Sequence, residues 1–155
     1  MTLFHFERAT PLDPAEAWRR LTDWERHGQV VPLTRVTVSG DREGGAGTVF
    51  TARSGVGPLG FDDVMEVVVW RPPGAEGADR LPGAEGAGLC RLAKRGSFVT
   101  GWAEIEVRPE GDASRVVWRE ELRVRGLPGV VDPLLRRAAV VLFGRAVDAL
   151  LAERR

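Results

Sequence analysis

One arginine, three carboxylates and one histidine are the groups in this chain whose types and positions suit chemistry. In the terminal segment, Val131, Leu135, Ala138, Leu142, Arg145 and Ala149 advance by fours and threes, which lays them along one face of a helix. Five are apolar and the sixth is Arg145. A charge on a buried face needs a partner, because an unpaired one costs on the order of several kcal/mol. Glu120 is one candidate, since alternation groups it with Val116, Trp118, Leu122 and Val124. The segment Phe61 to Trp70 offers two more: Glu66 alternates with Val64, Val68 and Trp70, and Asp63 with Phe61, Met65, Val67 and Val69. That segment is apolar on both faces, so the pattern leaves open which carboxylate points inward. Arg145 beside Glu120, Glu66 or Asp63 would make a polar spot in an apolar cavity, able to orient a ligand carbonyl or hydroxyl. The competing readings are a guanidinium carried into water on a buried stem, and a purely structural ion pair.

His27 follows Glu25 and Arg26 and precedes Gly28 at the end of a short helical stretch. A donor or general-acid role suits it, and so does capping of the last helix carbonyls. His5 alternates against Phe4 and Phe6 and is expected at the surface. Two histidines and one cysteine give no zinc spacing, and no cofactor is implied. Cys90 sits in a strand with no activating neighbour and is expected to be buried and inert. The glycine-rich stretch Ser54 to Gly60 lacks the Gly-Lys-Ser/Thr of a phosphate cradle and reads as a turn or a lid. No Gly-x-Ser-x-Gly elbow is present. Four of the five tryptophans read as core or pocket wall. Trp102 alternates with Thr100, Glu104 and Glu106 and is expected on the outer face.

The elements that must position these groups follow from breakers and periodicity. Leu3 to Thr10 reads as a strand. Asp13 and Pro14 open a helix to Leu21 with Ala17, Trp18 and Leu21 inward, and Asp23 caps a second turn that stops at Gly28. Strands are expected over 33–39, 48–53, 61–70, 89–95, 98–107 and 115–124, with a turn at 40–45. Residues 74–88 contain a near-duplication, Pro73–Ala78 against Pro82–Ala87, which reads as a low-complexity connection. From Val130 to Leu151 almost every residue is apolar or a good helix former. The order is strand, two short helices, six strands, one long helix, and short turns make the strands antiparallel neighbours. This is an α+β chain, and 155 residues suit one domain over 1–155.

Charge and composition exclude several roles. The net charge is zero, from 22 basic and 22 acidic side chains, so no basic surplus meets a nucleic acid. Asp132, Arg136, Arg137, Arg145 and Asp148 interrupt the terminal apolar segment, which argues against a membrane span. One cysteine and no signal-type start point to the cytoplasm, and arginine-rich composition with few lysines to a high-GC bacterium.

The run Asp13-Pro14-Ala15-Glu16-Ala17-Trp18, then Leu21-Thr22-Asp23-Trp24, Val31-Pro32-Leu33 and Gly47-Thr48-Val49-Phe50, together with the terminal helix, resembles the START and Bet v 1-like (SRPBCC) superfamily over essentially the whole chain. More narrowly it is similar to the bacterial polyketide cyclase/dehydrase-type branch. The resemblance implies the helix-grip fold, a curved seven-stranded antiparallel sheet around a long C-terminal helix, with an internal cavity. Members bind lipids, sterols, polyketides, quinones or hormones; some cyclise or dehydrate polyketides, and others carry ligands or act with chaperones. The superfamily has no shared catalytic motif, so the resemblance names no catalytic residue. The expectation is a small hydrophobic or amphipathic ligand held between terminal helix and sheet, with Arg145, Glu120, Glu66 and His27 supplying polarity and Leu135, Leu142, Phe50 and Trp118 the wall. A polyketide aromatase/cyclase-like enzyme and an interaction module of the Hsp90-activator type are the alternatives. Self-association into a homodimer is left open.

Overall fold

A computed structural model describes residues 1–39, 45–76 and 85–152. Residues 40–44 of the expected turn and residues 77–84 of the near-duplication lie outside the described residues. Strand β1 (Thr2–Thr10) leads to helices α1 (Pro14–Leu21) and α2 (Trp24–Val30). Six strands follow: β2 (Thr34–Ser39), β3 (Val49–Ser54), β4 (Phe61–Arg71), β5 (Gly88–Arg95), β6 (Val99–Glu110) and β7 (Ala113–Val124). The long helix α3 (Asp132–Ala152) closes the chain. The seven strands form one antiparallel sheet in the order β1-β7-β6-β5-β4-β3-β2, so β1 pairs with the last strand and β2 forms the far edge. One face carries the core against the helices. The other carries paired charges, such as Arg119 to Glu104 and Glu106 at 3.0 Å each.

Local chemistry explains these elements. The Asp13 side chain accepts from the Glu16 amide at 3.1 Å, and Pro14 takes the first helical position. Ala17, Trp18 and Leu21 are buried from α1, as the spacing requires. Helix α2 does not stop at Gly28 but runs through it to Val30. The glycine serves a close approach instead: a Cβ there would lie 2.9 Å from the Val36 backbone nitrogen, so its absence lets β2 lie against the helix. Leu33 is not in β2 but bends into it with φ +56°, a left-handed conformation that is rare for a branched side chain. Its carbonyl accepts from the Gly55 amide at 3.0 Å, which holds the bend.

Strand β4 changes parity part way along. A register shift between Val67 and Val69 places Val67 opposite Leu92 and Trp70 opposite Cys90, all on the core face. Trp70 therefore joins the side of Asp63, Met65 and Val67 and meets Trp18 edge-on at 5.1 Å. Simple alternation, which groups Trp70 with Glu66, misses this.

Candidate ligand cavity

Between α3, α2 and the sheet lies a cavity of about 320 Å³. Its wall is largely apolar. Phe50, Met65, Leu92, Ala103 and Leu122 come from the sheet, and Leu135, Ala138, Ala139, Leu142 and Phe143 from α3. One side is an aromatic bank: Trp24 stacks on Phe50 at 4.6 Å, Trp118 on Phe143 at 5.7 Å, and His27 lies between, 5.6 Å from Trp24 and 6.3 Å from Trp118. Pro32, Phe61, Ala138 and Leu142 line the cavity yet are exposed, which puts its opening between the α2–β2 turn, the start of β4 and α3.

At the sheet side of this apolar space sits Lys94, the one lysine in the chain. Its side chain is 3% exposed. The ammonium donates to Asp63 Oδ2 at 2.6 Å, lies 3.1 Å from Glu120 Oε1, and reaches Met65 Sδ at 3.7 Å. Glu120, 1% exposed, accepts from Trp118 Nε1 through its other oxygen at 3.0 Å. The sheet explains how three strands meet here. Lys94 on β5 and Glu120 on β7 are separated by β6, whose residues opposite them are Gly101 and Ala103. Neither has bulk, so the long lysine stem passes over β6 to reach the carboxylate. A Cβ at Gly101 would collide with the Glu121 carbonyl, and the residue has φ +130°, so glycine is required there.

Burial pulls the Lys94 ammonium toward deprotonation, but Glu120 and Asp63 outweigh it and hold the group above the ordinary lysine value. Lys94 is therefore a cation, not a free amine. Burial pushes His27 below its ordinary value, against a smaller opposing pull from the Leu21 carbonyl and Asp23. Its Nε2 lies 2.7 Å from the Leu21 carbonyl. A carbonyl only accepts, so Nε2 carries the proton and the neutral ring keeps Nδ1 as an acceptor. Two buried polar atoms lack a partner among the described residues, Asp63 Oδ1 and Trp24 Nε1, and both belong to cavity-lining side chains. Cys90 is buried away from the cavity lining, its thiol pushed up to about 12 by burial. No group of three or more His, Cys, Asp or Glu among the described residues is arranged to hold a metal ion.

The structure brings together six of the eight residues expected from sequence: Glu120, Trp118, Leu142, Leu135, Phe50 and His27 all line the cavity. Arg145 does not. It is exposed on α3, and the buried positions of that helix are Ala139, Gly144, Ala146, Val147 and Leu150. The inward face runs 135, 139, 143, 147, 150, so by residue 145 the expected stripe has drifted off it. Val140, Val141, Leu142 and Phe143 are apolar all round the helix, and the sequence therefore did not fix its phase. Glu66 is also outside the lining. It faces away from Asp63 and pairs with Arg95 at 3.0 Å. The inward carboxylate of β4 is Asp63. The cation at the site is Lys94, which the sequence reading missed. A signal existed, because Lys94 alternates with Cys90 and Leu92 and is the only lysine. His5 is exposed, and Trp102 lies on the outer face with the Arg91 guanidinium 4.7 Å from its ring centre.

No protein-family model matches the sequence, and no curated protein does. Solved structures do match. A STAR-related lipid transfer protein from Xanthomonas axonopodis aligns with TM-score 0.68 at 13% identity, over 96% of this chain and 85% of that one. Norcoclaurine synthase from Thalictrum flavum, solved in complex with dopamine and hydroxybenzaldehyde, aligns at 0.62 and 16% identity over 99% and 88%. Ara h 8.0201 aligns at 0.60 and 13% identity over 97% and 98%. The chain thus has the helix-grip fold that these structures share. At these identities the likeness establishes the fold, and function must come from the cavity itself.

Proposed function

We propose that this chain binds a small amphipathic molecule beneath α3, its apolar body against the aromatic bank and its polar group toward the cluster of Lys94, Asp63 and Glu120. The observation that carries this is an unplugged cavity of about 320 Å³ with a lysine ion pair at its wall. Its volume sits at the small end of ligand pockets, which run from about 300 to 1,000 Å³. The types of molecule named for the structural relatives, a lipid in one case and dopamine with hydroxybenzaldehyde in another, are consistent with such a pocket. A cytoplasmic, bacterial ligand carrier fits the composition. The Hsp90-activator reading expects a filled interior and gains no support from an open cavity.

A second reading, catalysis resembling a polyketide aromatase/cyclase, is favoured by one observation. The Lys94 ammonium and the neutral His27 ring face the same space, the first a proton donor and the second an acceptor. Turnover of a polyketide-type substrate lost in both Lys94→Met and His27→Gln, with binding retained, would select this reading.

Ala138→Phe tests the binding role. Ala138 lines the cavity from an exposed position, so an aromatic ring there fills space without displacing core. A panel of lipids and polyketides screened by thermal shift should stabilise the wild type, and the variant should bind the same compounds at least tenfold more weakly. A wild type that responds to none of them refutes the proposal.

A further inference from the structure

The charge inside the cavity does not balance. Among the described residues, the ionisable side chains lining it are His27, Asp63, Lys94 and Glu120. Lys94 contributes one positive charge and the two carboxylates two negative ones, and His27 is held neutral by burial. One negative charge is left in excess in an apolar setting, where an uncompensated charge is costly.

The hydrogen bonds show where that excess lies. Both oxygens of Glu120 are engaged, one by Lys94 and one by Trp118 Nε1. Among the described residues, Asp63 uses only Oδ2, on Lys94, and its Oδ1 is buried without a partner. The surplus charge and the missing donor thus coincide at one carboxylate. Asp63 keeps 15% of its side chain exposed and lines the cavity, and the terminal torsion of an aspartate is soft. Oδ1 itself is closed to solvent, so a donor in the pocket would meet it only through rotation about that torsion. The other unpartnered atom, Trp24 Nε1, is a neutral donor and adds no charge.

We infer that the cavity selects molecules that carry a protonated amine on an aromatic or similarly flat apolar body, with Asp63 as the acceptor and counter-ion. This rests on the binding role proposed above and specifies its ligand. The body is assigned by the rings of Trp24, Phe50, Trp118 and Phe143 that form the wall. Lys94 does not compete for the amine as a nucleophile. It anchors both carboxylates and leaves one Asp63 oxygen without a donor. A carboxylate-bearing ligand would face the same surplus charge with the opposite effect, and an alcohol would supply the donor without the charge.

A matched series separates these outcomes. Isothermal titration of the wild-type protein at pH 7 with 2-(1-naphthyl)ethylamine, 2-(1-naphthyl)ethanol and 3-(1-naphthyl)propanoate holds the body constant while the end group changes. The amine should bind at least tenfold tighter than the alcohol, and the carboxylate more weakly than either. Asp63→Asn should abolish the preference by weakening the amine to the level of the alcohol, with an unchanged far-UV circular dichroism spectrum as the check that the fold is intact. Should the variant not fold, raising the salt concentration in the wild type tests the same point, because a buried pair resists screening and the preference should persist. Equal binding of amine and alcohol, or a preference for the carboxylate, overturns the inference and leaves the cavity's binding role standing. Failure of all three to bind overturns both.

Discussion

Replacing Lys94 by methionine removes a charge while keeping nearly the same volume, and the cost can be worked from its surroundings. The side chain is 3% exposed and its partners Glu120 and Asp63 are 1% and 15% exposed, so the pair is not a screened surface contact. Methionine packs beside Met65 without leaving a void, so little of the change comes from lost packing. What remains is two carboxylates sharing an apolar wall with no cation, and removing one partner of a buried pair costs about 3–5 kcal/mol. That is a large share of the 5–15 kcal/mol typical of a whole domain. Urea unfolding at pH 7, read by tryptophan fluorescence, should show this loss for Lys94→Met. The triple variant Asp63→Asn, Lys94→Met, Glu120→Gln should be more stable than Lys94→Met alone, because the neutral set leaves no unpaired charge. A loss below about 1 kcal/mol, the range of exposed ion pairs, would refute the reasoning, as would an equal loss in a Glu120→Gln, Asp63→Asn background.

Two further outcomes follow from the site's borders. Burial holds His27 below its ordinary value, so the unfolded chain binds the proton more tightly and stability should fall as pH drops below about 6.5. His27→Gln should flatten that part of the urea-midpoint profile, and an unchanged slope contradicts the assignment. Leu33 carries the strain of a left-handed backbone, about 1–2 kcal/mol for an L-residue, and glycine returns part of this as unfolded-state freedom. Leu33→Gly should therefore raise stability by about 0.5–1 kcal/mol in chemical denaturation, whereas a loss would mean that the exposed leucine side chain contributes packing.

The architecture was legible in the chain because its boundaries are chemical. Asp13 and Pro14 mark a helix start, glycine- and proline-rich breaks separate strands, and alternation in β7 assigned Trp118 and Glu120 to the core face. What failed was phase. Helix α3 is apolar on nearly every side between Val140 and Phe143, so a stripe drawn from Val131 drifted and put exposed Arg145 inside. In β4 a register shift at Val67–Val69 broke the alternation that grouped Trp70 with Glu66. The meeting of Lys94 with Glu120 depends on β6 lying between them with Gly101 and Ala103 at the crossing, a contact across three strands that no local spacing encodes. Rarity was the available signal: a lone lysine among 22 basic residues, in step with Cys90 and Leu92.

The central claim is that the space beneath α3 is open to an apolar occupant. Diffraction from crystals of the wild-type protein equilibrated with xenon tests it most directly, since xenon enters dry apolar cavities without needing a polar partner. The account predicts xenon density enclosed by Phe50, Trp118, Leu135 and Phe143, with its occupancy sharply reduced in Ala138→Phe. An interior closed by side chains, with no xenon at that place under pressure, would contradict it.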